Sequence, residues 1–341
     1  YTAVIEDLQP DRVISNDSYY GMWKILEILC KRRSIPFYSH WPATRERIAI
    51  AFNDAAMNLD MTQSWEEFSR ISLQQADQDM IQLWLGGKRA LVIDTTKPTY
   101  KSKTDPALAK IDSSKPTILL AANVIWDLAA LNKSLFFSNM ISWIVETVNW
   151  FATHQDFQLI IKPHPAETAE GIPRTRETVE FGLSKSKISL PQNVILLNSS
   201  TQVSVNQLRD IVNLKAVVVH TTTVGFEYPA QGIPAVTTAK APYRGFGFTR
   251  DPNSKDEYFQ SMKELLLMTD STLNANQVDL ARKFLKFYQF HYYTKIESPN
   301  NKSICEVKKM LIDKQSPLDY ICEKIIAGYP INDYNEWLPC S

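Results

Sequence analysis

The run Ala216-Val217-Val218-Val219 is unbroken and β-branched, and it gives way at once to His220-Thr221-Thr222-Thr223 and then to Val224-Gly225-Phe226-Glu227. A strand with one wet face would alternate polar and apolar residues. A continuous apolar run is instead buried on both faces, which requires a parallel sheet covered by helices. Similar short runs stand at 117–121, 158–161, 194–197 and 235–238, with helix-length segments between several of them. That alternation predicts an open α/β sheet, whose ligands bind outside the carboxyl ends of its strands.

Three turns are therefore expected on one rim. Asn123-Val124-Ile125-Trp126-Asp127 follows the first run, Lys162-Pro163-His164-Pro165-Ala166-Glu167 the second, and Thr221 to Glu227 the fourth. A helix start offers unpaired N–H groups, and Thr221, Thr222 and Thr223 add hydroxyls, so this corner suits a phosphate. Glu227, one turn further on, reads either as a carboxylate for a ribose diol or as a solvated glutamate behind a Thr-rich cap. His164 sits between two prolines on a stiff segment, which suits a side chain that must be aimed, with Lys162 and Glu167 beside it. Its imidazole can donate to a phosphate or protonate a leaving oxygen; otherwise it is satisfied by nearby backbone. Asp127 reads equally as a catalytic carboxylate and as a helix cap, and Asp17 carries the same pair of readings with capping favoured.

The remaining chain frames this sheet. Residues 12–15 and 35–39 read as two strands around a helix whose broad apolar face holds Met22, Trp23, Ile25, Leu26, Ile28 and Leu29. Two strands are too few for a doubly wound lobe, so this N-terminal lobe is expected to be incomplete in this chain. Residues 43–90 look mainly helical, with Trp65, Phe68, Ile71, Ile81, Leu83 and Trp84 as core candidates. The division expected is a partial N-terminal lobe over 1–100, a Lys/Thr/Ser/Pro linker over 101–115, a C-terminal lobe over 116–270, and helices over 271–341 that pack back across both. A helix is expected over 135–153. Further helices at 258–268 and 278–293, the latter aromatic-rich, read as core packing rather than a cofactor box.

The 37 basic and 37 acidic residues cancel, which argues against a nucleic-acid binder. No apolar run approaches the roughly 18–20 residues that span a bilayer. No signal peptide is recognisable, although the chain begins at Tyr1 rather than methionine. Cys30, Cys305, Cys322 and Cys340 form no CxxC pair and read as thiols of a reducing compartment. The histidines show no ligand spacing, so no metal site is expected. A Walker loop and a GxGxxG fingerprint are absent, and Gly245-Phe246-Gly247 leads into no obvious helix.

His164-Pro165, Thr221 to Glu227, Gly232-Ile233-Pro234 and Ala241-Pro242-Tyr243-Arg244-Gly245-Phe246-Gly247-Phe248-Thr249 together resemble the bacterial capsule and surface polysaccharide synthesis glycosyltransferases, a group that includes enzymes using CMP-Kdo. The resemblance implies a GT-B fold of two Rossmann-like lobes, with a nucleotide-sugar donor held by the C-terminal one. It places His164, Thr222 and Thr223 on the donor phosphate and Glu227 on the ribose. It sets the loop of Tyr243, Gly245 and Gly247 beside the donor. It further implies metal-independent transfer to a glycan or glycolipid acceptor, no bound cofactor, and a cytoplasmic location, peripheral at the inner membrane or in a polysaccharide assembly complex. Tyr228-Pro229 after the glutamate, and threonine where the family has serine, depart from the pattern. The same scaffold also serves sugar-nucleotide epimerases or hydrolases, and a non-catalytic nucleotide-sugar-binding lobe is the third reading.

Overall fold

The computed structural model describes residues 1–19, 21–42, 47–58, 60–86, 105–125, 132–169, 175–201, 208, 211–295 and 317–331. The chain divides into two units, Tyr1–Ser72 with Lys286–Ser341, and Leu73–Leu285. Each has its own sheet.

The larger unit contains five parallel strands: β4 Pro116–Ala121, β5 Gln158–Lys162, β6 Val194–Leu196, β7 Asn213–Val219 and β8 Ala235–Thr237, in the order β6-β5-β4-β7-β8. The α/β class and all five strands agree with the expectation. Residues 118–120, 159–161 and 216–219 are almost fully buried, so alternate side chains on both faces are shut from water. One face packs Ile118, Leu120, Leu159, Ile161 and Val218 against Trp143, Val148, Phe151, Leu183, Met262 and Leu266 of three helices. Burial of a large apolar side chain contributes about 1.5–3 kcal/mol, so this layer is a principal source of the unit's stability.

Helix boundaries follow local capping. The first of the covering helices runs Met140–Ala152 rather than from 135, because Asn139 Oδ1 accepts the Ser142 N–H at 2.8 Å and fixes the start there. The helix Lys255–Leu267 starts where Ser254 accepts the Glu257 N–H. The helix Ala275–Lys286 passes into a π-helical turn at Phe287–His291. Residues 105–110, within the expected linker, include a 3₁₀ turn Pro106–Lys110 that Asp105 caps through the Ala107 N–H.

Among the described residues the smaller unit has a sheet of four strands, where two were expected. Its sheet runs β1 Val13–Asn16, β2 Phe37–Pro42, β3 Arg47–Phe52 and β9 Thr294–Lys295, with β1 and β2 parallel and the other pairs antiparallel. Strand β3 replaces part of the helix expected over 43–90; the helices found there are Thr62–Phe68 and Gln75–Leu85. Trp65, Phe68, Ile81 and Trp84 are buried as expected, but Ile71 and Leu83 are exposed. On the helix Gly21–Arg32 only part of the apolar set turns inward: Leu26 and Cys30 are buried with Trp23 and Leu29 against them, while Met22, Ile25 and Ile28 face solvent. Among the described residues no helix is long and apolar enough to cross a membrane.

Candidate functional site

Strand β4 is flanked by β5 on one side and β7 on the other, so the chain reverses its direction of travel across the sheet at this point, where open α/β sheets form their binding crevice. In register, Ala121 pairs with Lys162 and with Val219, so the three strands end level. With neighbouring strands about 4.8 Å apart, β5 and β7 leave the sheet about 10 Å from each other, with Asn123 between them. The strand ends that lead into the three expected turns therefore share one rim; of the first turn, Trp126 and Asp127 lie outside the described residues.

The β5 turn is braced from beneath. His164 is half-buried and caps the 3₁₀ turn Pro165–Glu167, its Nδ1 accepting the Ala166 N–H at 3.1 Å. A neutral ring held this way carries its proton on Nε2. Lys162 is not a free cation at the rim. Its Nζ donates to the carbonyls of Pro163 at 2.8 Å and Ser199 at 3.0 Å. Burial pulls the amine down to about 8, against the opposing pull of Glu167 and Asp105. Glu167 is buried as well and accepts the Val179 N–H at 3.0 Å, which starts the helix Val179–Lys185; burial raises its carboxyl above the usual range. Asp105 takes the Asn198 N–H and the Thr201 hydroxyl and so fixes the turn after β6.

The β7 turn is fixed from the other side. Thr221 donates its N–H to Asn123 Oδ1 at 3.1 Å, tying two of the three turns together. Tyr243 is fully buried and donates its hydroxyl to the Thr222 carbonyl at 2.8 Å, so it positions the turn instead of lining a cavity. Gly225 is required beneath that ring, because a Cβ there would run into the Tyr243 hydroxyl. The side chains of Thr222 and Thr223 are half-exposed. The helix that follows, Val224–Glu227, is a single turn, so the dipole expected there is small and hydroxyl and imidazole donors must do more of the anion binding. Glu227 is buried, not solvated, and accepts the Trp84 indole N–H at 3.2 Å.

The glycine loop is locked by Arg244, which donates to Thr237 Oγ1, to the carbonyls of Asp251 and Pro252, and to Asn253. Asp251 in turn accepts the Gly245 N–H at 2.7 Å. Gly245 and Gly247 are exposed with φ of 86° and 89°, backbone that a side chain would strain. Asp127 lies outside the described residues. Asp17, in the smaller unit, has both oxygens engaged by the Tyr19 and Met57 N–H groups, the geometry of a turn-capping residue, and burial raises its carboxyl.

Sequence reasoning missed two groups. His220 is almost fully buried with Nε2 at 3.2 Å from Ser134 Oγ, and burial pulls it down to about 4, so it is neutral. Its Nδ1 and the neighbouring Thr221 Oγ1 are buried with no hydrogen-bond partner among the described residues. The available signal was a histidine at the end of an apolar strand, a position where a core would place an apolar side chain. The Arg244–Asp251 lock was missed too, since its partners are backbone groups no spacing reveals. Among the described residues no group of three His, Cys, Asp or Glu side chains is placed to hold a metal ion.

Comparison with known proteins decides the family. The family model described as capsule polysaccharide biosynthesis protein matches residues 86–282, more than half of the chain. The chain belongs to this family. Its match spans the three turns and the glycine loop together. No curated protein sequence matches it. Among solved structures it is similar to the beta Kdo 2,4 transferase of Thermosulfurimonas dismutans KpsC, at 12% identity and TM-score 0.47 over 89% of this chain and 87% of that one. The beta Kdo 2,7 transferase of the same KpsC gives 12% and 0.41, over 84% and 93%. A UDP-GlcNAc 2-epimerase of Methanocaldococcus jannaschii, solved with UDP-GlcNAc and UDP, gives 12% and 0.35, over 84% and 78%.

Proposed function

We propose that this family member is a glycosyltransferase of GT-B type that moves a sugar from a nucleotide donor, CMP-Kdo in the reading we favour, to a capsule or surface polysaccharide acceptor. One observation carries the reading: three strand ends stop level, and the turns that leave them carry an imidazole, threonine hydroxyls and a bound amide side chain. Departure of the donor phosphate is the step that needs help. In this reading His164 Nε2–H and the hydroxyls of Thr222 and Thr223 receive the charge that grows on the leaving phosphate, in a turn already fixed before the substrate arrives. Glu227 is assigned to the ribose diol. A carboxylate facing the anomeric carbon completes the chemistry, and Asp127 is assigned to it. The acceptor is a glycan or glycolipid, reached at the cytoplasmic face of the inner membrane.

The test is a donor screen followed by turnover. CMP, UDP and GDP are compared by thermal shift, with CMP expected to stabilise most. Purified protein is then given CMP-Kdo with and without a glycan acceptor, and CMP release is expected only with acceptor. Release without acceptor favours a hydrolase or epimerase, and binding without release favours a non-catalytic lobe. His164→Ala is expected to lower turnover at least a hundredfold with an unchanged circular dichroism spectrum. Near-normal turnover in that variant would remove the imidazole from the mechanism.

A further inference from the structure

His220 and Thr221 close β7 at the crevice and each has a polar side-chain atom that is buried and unpartnered among the described residues. An unsatisfied buried polar atom costs about 1–3 kcal/mol, and proteins seldom place two on consecutive residues. Both residues are otherwise well held. The His220 ring is fixed by Ser134 Oγ on Nε2 and lies 6.2 Å from the Trp143 ring, while the Thr221 backbone is bound to Asn123. The His220 ring is therefore fixed in place, and the Thr221 backbone beside it is anchored.

Exposure rises along the turn, from 2% at His220 to 8% at Thr221 and to half-exposed at Thr222. Both residues follow β7 directly and lead into Thr222, so their unpartnered atoms stand where the strand passes into the turn. In the glycosyl-transfer reading that junction adjoins the donor. With the phosphate at Thr222 and Thr223 and the ribose at Glu227 on the helix side, the strand side of the phosphate is left for the sugar.

We propose that His220 Nδ1 and Thr221 Oγ1 form the subsite for a hydroxyl of the transferred sugar. A hydroxyl both donates and accepts, which matches a neutral imidazole nitrogen beside a threonine oxygen. A second anion is a poor match, since the neutral ring brings no positive charge. The inference rests on the glycosyl-transfer reading and names how its donor sugar is recognised.

Binding of four probes, CMP, CMP-Kdo, UDP and UDP-GlcNAc, to wild-type, Thr221→Val and His220→Phe protein tests it by calorimetry. Thr221→Val keeps the shape and removes only the hydroxyl, so it remains informative if His220→Phe folds poorly. The expected result is a five- to tenfold loss of affinity for the sugar nucleotide that the wild type binds, with the matching free nucleotide within twofold. Equal losses for nucleotide and sugar nucleotide, or no loss for either, would overturn the subsite while leaving the transferase reading intact. Wild-type protein that binds none of the four would overturn both.

Discussion

His220 shows how one residue can set a pH limit. Its ring is shut from water, and burial alone holds it near 4 when an unfolded chain would titrate near 6.5. The unfolded state then binds the extra proton between those values, so stability is present above about 6.5 and is lost as pH falls towards 4. By pH 5 the loss from this group is about 2 kcal/mol. Urea denaturation at pH 7.5 and pH 5 should show wild-type protein losing that much more than His220→Phe; equal losses would mean that the ring is hydrated or paired in solution. Glu227 makes a related point about burial. A glutamate one turn past three threonines reads equally well as solvated, and only the packing of Trp84, distant in sequence, shows its carboxylate to be enclosed.

Elements place these residues, and the turns after β5 and β6 depend on one another. Lys162 spans them by donating to Pro163 and Ser199, and Thr168 and Ser199 add a hydroxyl contact of 2.7 Å. Lys162→Met should change global stability by no more than about 2 kcal/mol, because removing a buried charge offsets the two carbonyls left bare. Amide exchange at 163–168 and 199–201 should nevertheless speed up at least tenfold, and unchanged exchange would show that Asp105 and Glu167 suffice. Which elements could be read in advance follows from the same physics. The parallel strands are apolar on both faces, and no helix of six residues imitates that. Strand β3, Arg47–Phe52, reads Arg-Ile-Ala-Ile-Ala-Phe, and its two alanines favour a helix on propensity. Ala49 and Ala51 are nevertheless buried at 1% and 3%, packed with Ala56 beside Trp41 and Tyr293, so tertiary contact overrides propensity there. At the site, the turns were legible because strand ends dictate them. The roles of Lys162 and Tyr243 were not, because both residues act on main-chain carbonyls that carry no sequence signal.

At the scale of the molecule, the two units have separate cores, one on the parallel sheet and the others in small clusters around β1, β2 and β3. A ligand that binds only the folded form stabilises by RT ln(1 + [L]/Kd), about 2.7 kcal/mol at a hundred times Kd. A nucleotide seated at the rim exerts that stabilisation first on the unit that holds the rim. Hydrogen exchange with saturating CMP should therefore show its strongest protection at His164, Ala166, 219–225 and 243–249, where backbone N–H groups belong to the turns. The amino ends of β4, β5 and β7, on the far side of the same sheet, should gain only the smaller protection due to the unit's global stabilisation. The comparison is internal, since both ends share one cooperative core and differ only in nearness to the ligand. Uniform protection of the sheet would place the nucleotide elsewhere in the unit, and strongest protection at 15–19, where Asp17 caps its turn, would move it to the smaller sheet.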